Sequence, residues 1–187
     1  EIMSFSSRVK EELSYQTGSA MHCRIAEIAA ILSMCGQIFQ EEDGKVSIKI
    51  QTENLAVARK YFTLLKKTYN IDVDICIRSH IHTGKSRTYI LEVTDDYAAR
   101  KILSSVKFMN GDGEIEEDYA IVHSMVLRKA CCKRAFLRGL FLCAGSISEP
   151  EKTYHFEIVC GTPERAQQIC DMMKTFNIDG KCITRKK

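Results

Sequence analysis

Two prolines, ten glycines and no Cys-x-x-Cys pair in 187 residues remove several classes of protein at once. So little proline and glycine excludes collagen-like and linker-like chains, and 45% hydrophobic residues are enough to build a core. No apolar run approaches the roughly 20 residues that a membrane helix needs, and the N-terminus lacks the apolar stretch of a signal peptide. The expectation is a cytoplasmic chain with no membrane partner. Nine cysteines, an odd number without paired spacing, argue against a disulfide framework and for reduced thiols acting mostly as small buried apolar side chains. The length suits one ordinary domain or two small ones.

The formal net charge of +3 hides a division. Asp112, Glu114, Glu116, Glu117 and Asp118 concentrate five acids in one short segment. The rest of the chain carries 27 basic side chains against 19 acidic ones. Such an excess permits an anionic partner, although a solvated basic face is the simpler explanation.

The most informative feature is a degenerate internal repeat. Cys23 to Ile38 reads CRIAEIAAILSMCGQI and Cys132 to Ile147 reads CKRAFLRGLFLCAGSI, at a constant offset of 109 residues. Cysteine, alanine, glycine and isoleucine coincide at four positions, Arg24 faces Lys133, and Ala30 faces Gly139. A second echo follows in the same order, TYNID at Thr68 to Asp72 and TFNID at Thr175 to Asp179.

Periodicity outlines the first unit. Residues 23–35 repeat apolar side chains at helical spacing, with Gly36 where a helix C-terminus favours glycine. Glu41 to Gly44 forms a turn, and Lys45 to Thr52 alternates Val46, Ile48 and Ile50 with Lys45, Ser47, Lys49 and Gln51, as a half-buried strand does. Residues 54–69 place Leu55, Ala58, Phe62, Leu65 and Tyr69 on one helical stripe and leave Arg59, Lys60, Lys66 and Lys67 outside. Strands over Ile71–Arg78 and Arg87–Val93, joined through Gly84, and a helix over 95–107 complete the unit. The second unit repeats the plan with a helix ending at Gly145, a strand at Tyr154–Val159, a helix opened by Thr162 and Pro163, and a strand beginning near Lys181. The first unit runs 35 residues past its TYNID and the second eight past its TFNID. This predicts that the natural protein continues by a strand and a helix, and that Glu1 and Ile2 are foreign residues ahead of a native Met3.

Two such units resemble the LAGLIDADG homing endonucleases, with IAAILSMCG (Ile28 to Gly36) and LRGLFLCAG (Leu137 to Gly145) in the place of that motif. The resemblance implies an α+β fold, a duplicated αββαββ arrangement with pseudo-two-fold symmetry and an incomplete second repeat, in which the small Ala30 and Gly139 let the two motif helices approach. MSFSSRVKEELS (Met3 to Ser14), HCRIAEIAAIL and CCKRAFLRGLFLCAGSISEPEKTYHFEI (Cys131 to Ile158) look more specifically like the N-terminal domain of the bacterial WhiA regulators. That family implies transcription regulation tied to sporulation and cell division, double-stranded DNA as partner, a nucleoid-associated location, possible docking of a WhiB-type iron-sulfur regulator, and a helix-turn-helix domain absent from this chain. The expected division is an N-terminal helix within 1–20, repeats at 21–108 and 131–187, and an acidic linker at 109–130.

In the endonucleases the residue before each closing glycine is an acid that binds the divalent metal. Here those positions are Cys35 and Ala144, and a hard cation finds no carboxylate oxygen on either. Glu27 and Glu149 sit at the wrong positions to substitute. No catalytic residue, cofactor, metal or small-molecule substrate is therefore expected. Gly84, Lys85 and Ser86 imitate the end of a phosphate loop, but Ser79 stands where its first glycine belongs. Cys76, His80 and His82 lack a fourth ligand. Of Cys131 and Cys132 at most one faces a core, as a buried thiol rather than a nucleophile.

What is left is surface. The resemblance implies a saddle-shaped sheet, whose concave face would carry Lys45, Ser47, Lys49 and Gln51, with Arg78, Lys85 and Arg87 near the second hairpin, either as contacts to phosphates and groove edges or as an ordinary solvated sheet face. Asp72, Asp74 and Glu92 interrupt it. Arg128, Lys129, Lys133, Arg134 and Arg138 form the densest basic cluster. A protein-interaction module with no DNA affinity of its own is the competing expectation.

Overall fold

The computed structural model describes residues 3–79 and 86–186. Gly84, Lys85, His80 and His82 lie outside the described residues. Helix α1 (Phe5–Tyr15) starts at Ser4, whose Oγ accepts from the Ser7 amide at 3.1 Å. Then come α2 (Met21–Cys35), β1 (Gly36–Gln40), β2 (Val46–Thr52), α3 (Leu55–Tyr69), β3 (Asp74–Ser79), β4 (Arg87–Val93) and α4 (Asp96–Ser105). An irregular stretch holding the acidic segment leads to α5 (Ala130–Ala144), β5 (Gly145–Ile147), β6 (Phe156–Ile158) and α6 (Pro163–Lys174). The two strand groups form separate antiparallel sheets, one ordered β1-β2-β4-β3 and one of β5 and β6.

The alternation in β2 decides its orientation, since Val46, Ile48 and Ile50 are buried, as are Leu91 and Val93 in β4. Against this face pack α3 and α4, with Val57, Tyr61, Leu64, Leu65, Ile102 and Leu103 fully buried. The centre of the molecule is the α2–α5 pair. A methyl group on Gly139 would stand 2.8 Å from Ala30 Cβ and 3.0 Å from the Glu27 carbonyl, so the close approach demands glycine on one side and alanine on the other.

Four local readings of the sequence change. Gly36 and Gly145 are not left-handed caps. Both are extended (φ −81° and −91°), and each helix passes straight into a strand. Glycine is needed there because a Cβ would collide with Leu32 or Phe141 one turn back. The left-handed role belongs instead to the echoed asparagines, Asn70 at φ 54° and Asn177 at φ 59°, where a short polar side chain tolerates that conformation. In α3 the buried face is turned from the expected stripe. Leu55 and Phe62 are 48% and 40% exposed, whereas Lys60 is fully buried. Residues 178–186 form no strand, so the element expected near Lys181 is not there.

Candidate functional site

Because α2 and α5 run parallel and end in strands, their C-termini bring Cys35 and Ala144 into one open cleft of about 660 Å³. Lys10, Cys143, Cys160 and Arg165 also line it, and no Asp or Glu does. Arg165 is buried and donates from Nη1 to the Ser33 carbonyl at 2.7 Å and from Nη2 to Ser33 Oγ. Lys10 lies over the Phe141 ring, 5.6 Å from its centre, and burial lowers its pKa. The Cys143 thiol donates to Cys35 and holds the Cys35 pKa below the usual thiol range, while Cys143 itself is pushed well up. A Mg2+ ion placed here would meet two cationic side chains and no carboxylate oxygen, which defeats both its binding and the activation of a water. Glu149 is engaged elsewhere, with Lys152 at 2.7 Å and Arg8 at 3.9 Å.

The outward face of the larger sheet follows from its register. Gln37, Lys49, Glu92 and Asp74 stand in one row across β1, β2, β4 and β3, Gln51 and Cys76 flank Ile90 in the next, and Arg78 sits opposite Thr88. Lys49, Gln51 and Arg78 therefore share a face. Two carboxylates stand in register with the one lysine. Lys45 lies ahead of the strand in an ion pair with Asp43 at 2.9 Å. Arg87 pairs with Ser79, and its position has the parity of Leu91 and Val93, so it belongs to the opposite face. Lys85 is outside the described residues. The structure thus assembles three of the six basic and amide positions expected to act together.

The basic cluster of α5 divides too. Arg134 lies over the Phe176 ring at 5.4 Å. Arg138 turns inward and grips the fully buried Glu27 with Nε to Oε1 at 3.1 Å and Nη2 to Oε2 at 2.9 Å. Lys60 reaches the same carboxylate at 3.0 Å and also donates to the Gln16 carbonyl. Burial lowers the Lys60 pKa although Glu27 opposes that shift. One carboxylate between two cations ties α2, α3 and α5, so Lys60, placed outside by the sequence pattern, is buried, and Arg138, counted in the basic cluster, turns inward and is part-buried. Apolar periodicity misses such a triad because it assigns every lysine and arginine to the outside.

A further group escapes the sequence reading, which assigned no metal ligand. His22, Cys23, Cys131 and Cys132 meet at the N-terminal ends of α2 and α5 with ligand atoms all within 4.8 Å of one another. The available signal was the offset of 109 residues itself, which sets His22 against Cys131 and Cys23 against Cys132.

Profiles of two family domains match the chain, the WhiA N-terminal LAGLIDADG-like domain over residues 21–109 and the WhiA LAGLIDADG-like domain over residues 133–187. Among curated relatives, the probable cell division protein WhiA of Lachnoclostridium phytofermentans is 48% identical over 99% of this chain and 59% of its own length. That of Lachnospira eligens is 39% identical over 98% and 57%. The chain therefore spans somewhat under three fifths of these relatives. Among solved structures, the N-terminal LAGLIDADG domain of DUF199/WhiA aligns over all of this chain and 81% of its own, with a TM-score of 0.69 at 22% identity. An I-DmoI variant in complex with its target DNA aligns over 85% and 78%, with a TM-score of 0.55 at 11% identity. These likenesses establish the fold, a LAGLIDADG-like α+β arrangement.

Proposed function

Since the chain belongs to the WhiA family, we propose that it is the non-catalytic N-terminal domain of a bacterial DNA-binding transcription regulator involved in sporulation or cell division, acting in the cytoplasm at the nucleoid on double-stranded DNA. In this reading residues 21–108 and 131–187 are two LAGLIDADG-like repeats joined by an acidic linker at 109–130, behind an N-terminal helix within 1–20. The observation that carries the non-catalytic part is the cleft at the ends of α2 and α5, where Cys35, Ala144, Lys10 and Arg165 replace what a metal-dependent nuclease needs. DNA contact by this domain rests on Lys49, Gln51 and Arg78 sharing one sheet face. Such a face supplies few phosphate contacts, and Glu92 and Asp74 in register with Lys49 oppose them, so its share of the affinity is small. Among the described residues no helix is long and apolar enough to cross a membrane.

The same two carboxylates favour a second reading, in which the sheet face docks a protein partner such as a WhiB-type regulator and has no DNA affinity of its own. Titration of the chain against duplex DNA at low and moderate salt separates the two. Binding that weakens with salt and is lost in a Lys49→Ala, Arg78→Ala variant, but kept in Arg87→Ala, supports the first. No binding at low salt supports the second. Cleavage of DNA in Mg2+ would overturn both.

A further inference from the structure

The paired N-terminal ends of α2 and α5 hold chemistry that the cleft at their C-terminal ends does not. His22 Nδ1 stands 3.2 Å from Cys132 Sγ, 3.4 Å from Cys23 Sγ and 3.9 Å from Cys131 Sγ. One imidazole nitrogen carries at most one hydrogen or one lone pair in the ring plane. A single hydrogen bond therefore accounts for one sulfur neighbour and not for three. A tetrahedral zinc ion accounts for all of them. With Zn–S near 2.3 Å and Zn–N near 2.0 Å, the edges of the tetrahedron are about 3.5 Å between nitrogen and sulfur and about 3.8 Å between sulfurs. The three measured nitrogen–sulfur distances bracket the first value, and the limit of 4.8 Å on every pair leaves room for the second.

The helices point to the same chemistry. α1, α3, α4 and α6 each begin with a side chain that caps the first turn, from Ser4, Asn54, Asp95 and Thr162. α2 and α5 begin at Ala20 and Lys129 with no side-chain cap. Their first-turn amides and the positive ends of their dipoles are thus turned to the end of the molecule where the three thiols sit, which favours a centre of net negative charge there, as a divalent ion held by three thiolates and one imidazole is. Two of the sulfurs, on Cys23 and Cys132, are buried, whereas Cys131 is exposed and gives an entering ion access.

We propose that His22, Cys23, Cys131 and Cys132 form a Cys3His site for Zn2+. Four protein ligands leave no position open for a substrate or a water, so the site is structural. Each repeat contributes two ligands, and the bound ion ties the start of α2 to the start of α5. The proposal stands apart from any DNA-binding role, since it concerns the opposite end of the helix pair from the cleft.

The test is a titration of the reduced, metal-free chain with Co2+ followed by Zn2+. The expected result is one equivalent of Co2+ per chain, bound with thiolate-to-cobalt charge-transfer absorption and the visible bands of a tetrahedral ion, then displaced by Zn2+. Because Cys131 is exposed, Cys131→Ser leaves the packing of the helices intact, and together with His22→Ala it should weaken Zn2+ at least about tenfold each. Circular dichroism identifies any variant that has merely unfolded. A Cys170→Ser, Cys182→Ser double variant is the control, because those sulfurs form a separate pair 3.1 Å apart. It should keep the cobalt spectrum. Absence of thiolate-to-cobalt absorption in the unaltered chain would overturn the proposal. So would a spectrum that survives both ligand substitutions, or one lost in the control.

Discussion

The two repeats share a frame and differ in the side chains set on it. The first builds a four-stranded sheet with α3 and α4 on one face, and its strands β2 and β4 are seven residues each. Of the second repeat, the described residues up to 186 form two three-residue strands and one further helix, with Phe156, Val159 and Ile178 about half exposed or more over that span. Positions that both repeats need for geometry coincide: Gly36 with Gly145 at the helix-to-strand junction, Ala30 with Gly139 at the crossing, Asn70 with Asn177 in the left-handed region. Positions where chemistry resides have mostly diverged, with Cys23 and Cys132 as the exception. Glu27 corresponds to Phe136, Ala29 to Arg138, and Cys35 to Ala144. Apart from that cysteine pair, agreement between the repeats marks backbone constraint, and disagreement marks where the symmetric scaffold was put to an asymmetric use.

Breaking the asymmetric triad should have the largest effect. Glu27→Ala leaves the buried Lys60 and the part-buried Arg138 without their counter-charge and should lower stability by about 3–5 kcal/mol in urea denaturation. Replacing the whole triad with Glu27→Leu, Lys60→Met and Arg138→Met should restore most of that. Equal loss in the single and triple variants would show that packing, not unpaired charge, is at stake. Next comes the crossing itself. Gly139→Val forces side-chain atoms into the contact with Ala30 and should cost about 1–3 kcal/mol or more, whereas Ala substitution at the exposed Arg128, just ahead of α5, should change the same melting curve little.

A smaller effect sharpens the agreement between repeats. Asn70→Val and Asn177→Val each place a β-branched residue in the left-handed region and should each cost about 1–2 kcal/mol. The corresponding glycine variants should be close to neutral. If only one of the two asparagines responds, the echo is not a shared constraint. The smallest change is chemical. The lowered Cys35 pKa means that its thiolate, and hence its alkylation by iodoacetamide, appears at lower pH than for an ordinary cysteine. Cys143→Ala removes the thiol that donates to it, so the midpoint of Cys35 labelling, read by mass spectrometry, should move to higher pH. An unchanged midpoint would remove Cys143 as the cause.

The fold was legible because duplication and periodicity are properties of the chain. The offset of 109 residues located both central helices, the alternation of Val46, Ile48 and Ile50 set the face of β2, and Thr162 with Pro163 marked the start of α6. That neither motif position carries a carboxylate was equally readable, since it needs only the identities of Cys35 and Ala144. What could not be read depends on partners distant in sequence. Lys60 enters the core only because Glu27, 33 residues earlier, is there to receive it, and Arg87 leaves the outward face because the register with β3 fixes its parity. The quartet of His22, Cys23, Cys131 and Cys132 lay between these cases, visible once the offset is applied to chemistry as well as to packing.

The direct passage from helix to strand has a mechanical meaning. Neither Gly36 nor Gly145 is followed by a loop, and the Gly36 and Gly145 amides still donate to Leu32 and Phe141 in the helices they leave. Each hairpin is thus the rigid extension of its helix, and the α2–α5 crossing acts as the pivot between two arms. The angle at which α2 and α5 cross therefore sets the direction in which the first strand of each sheet leaves the helix pair.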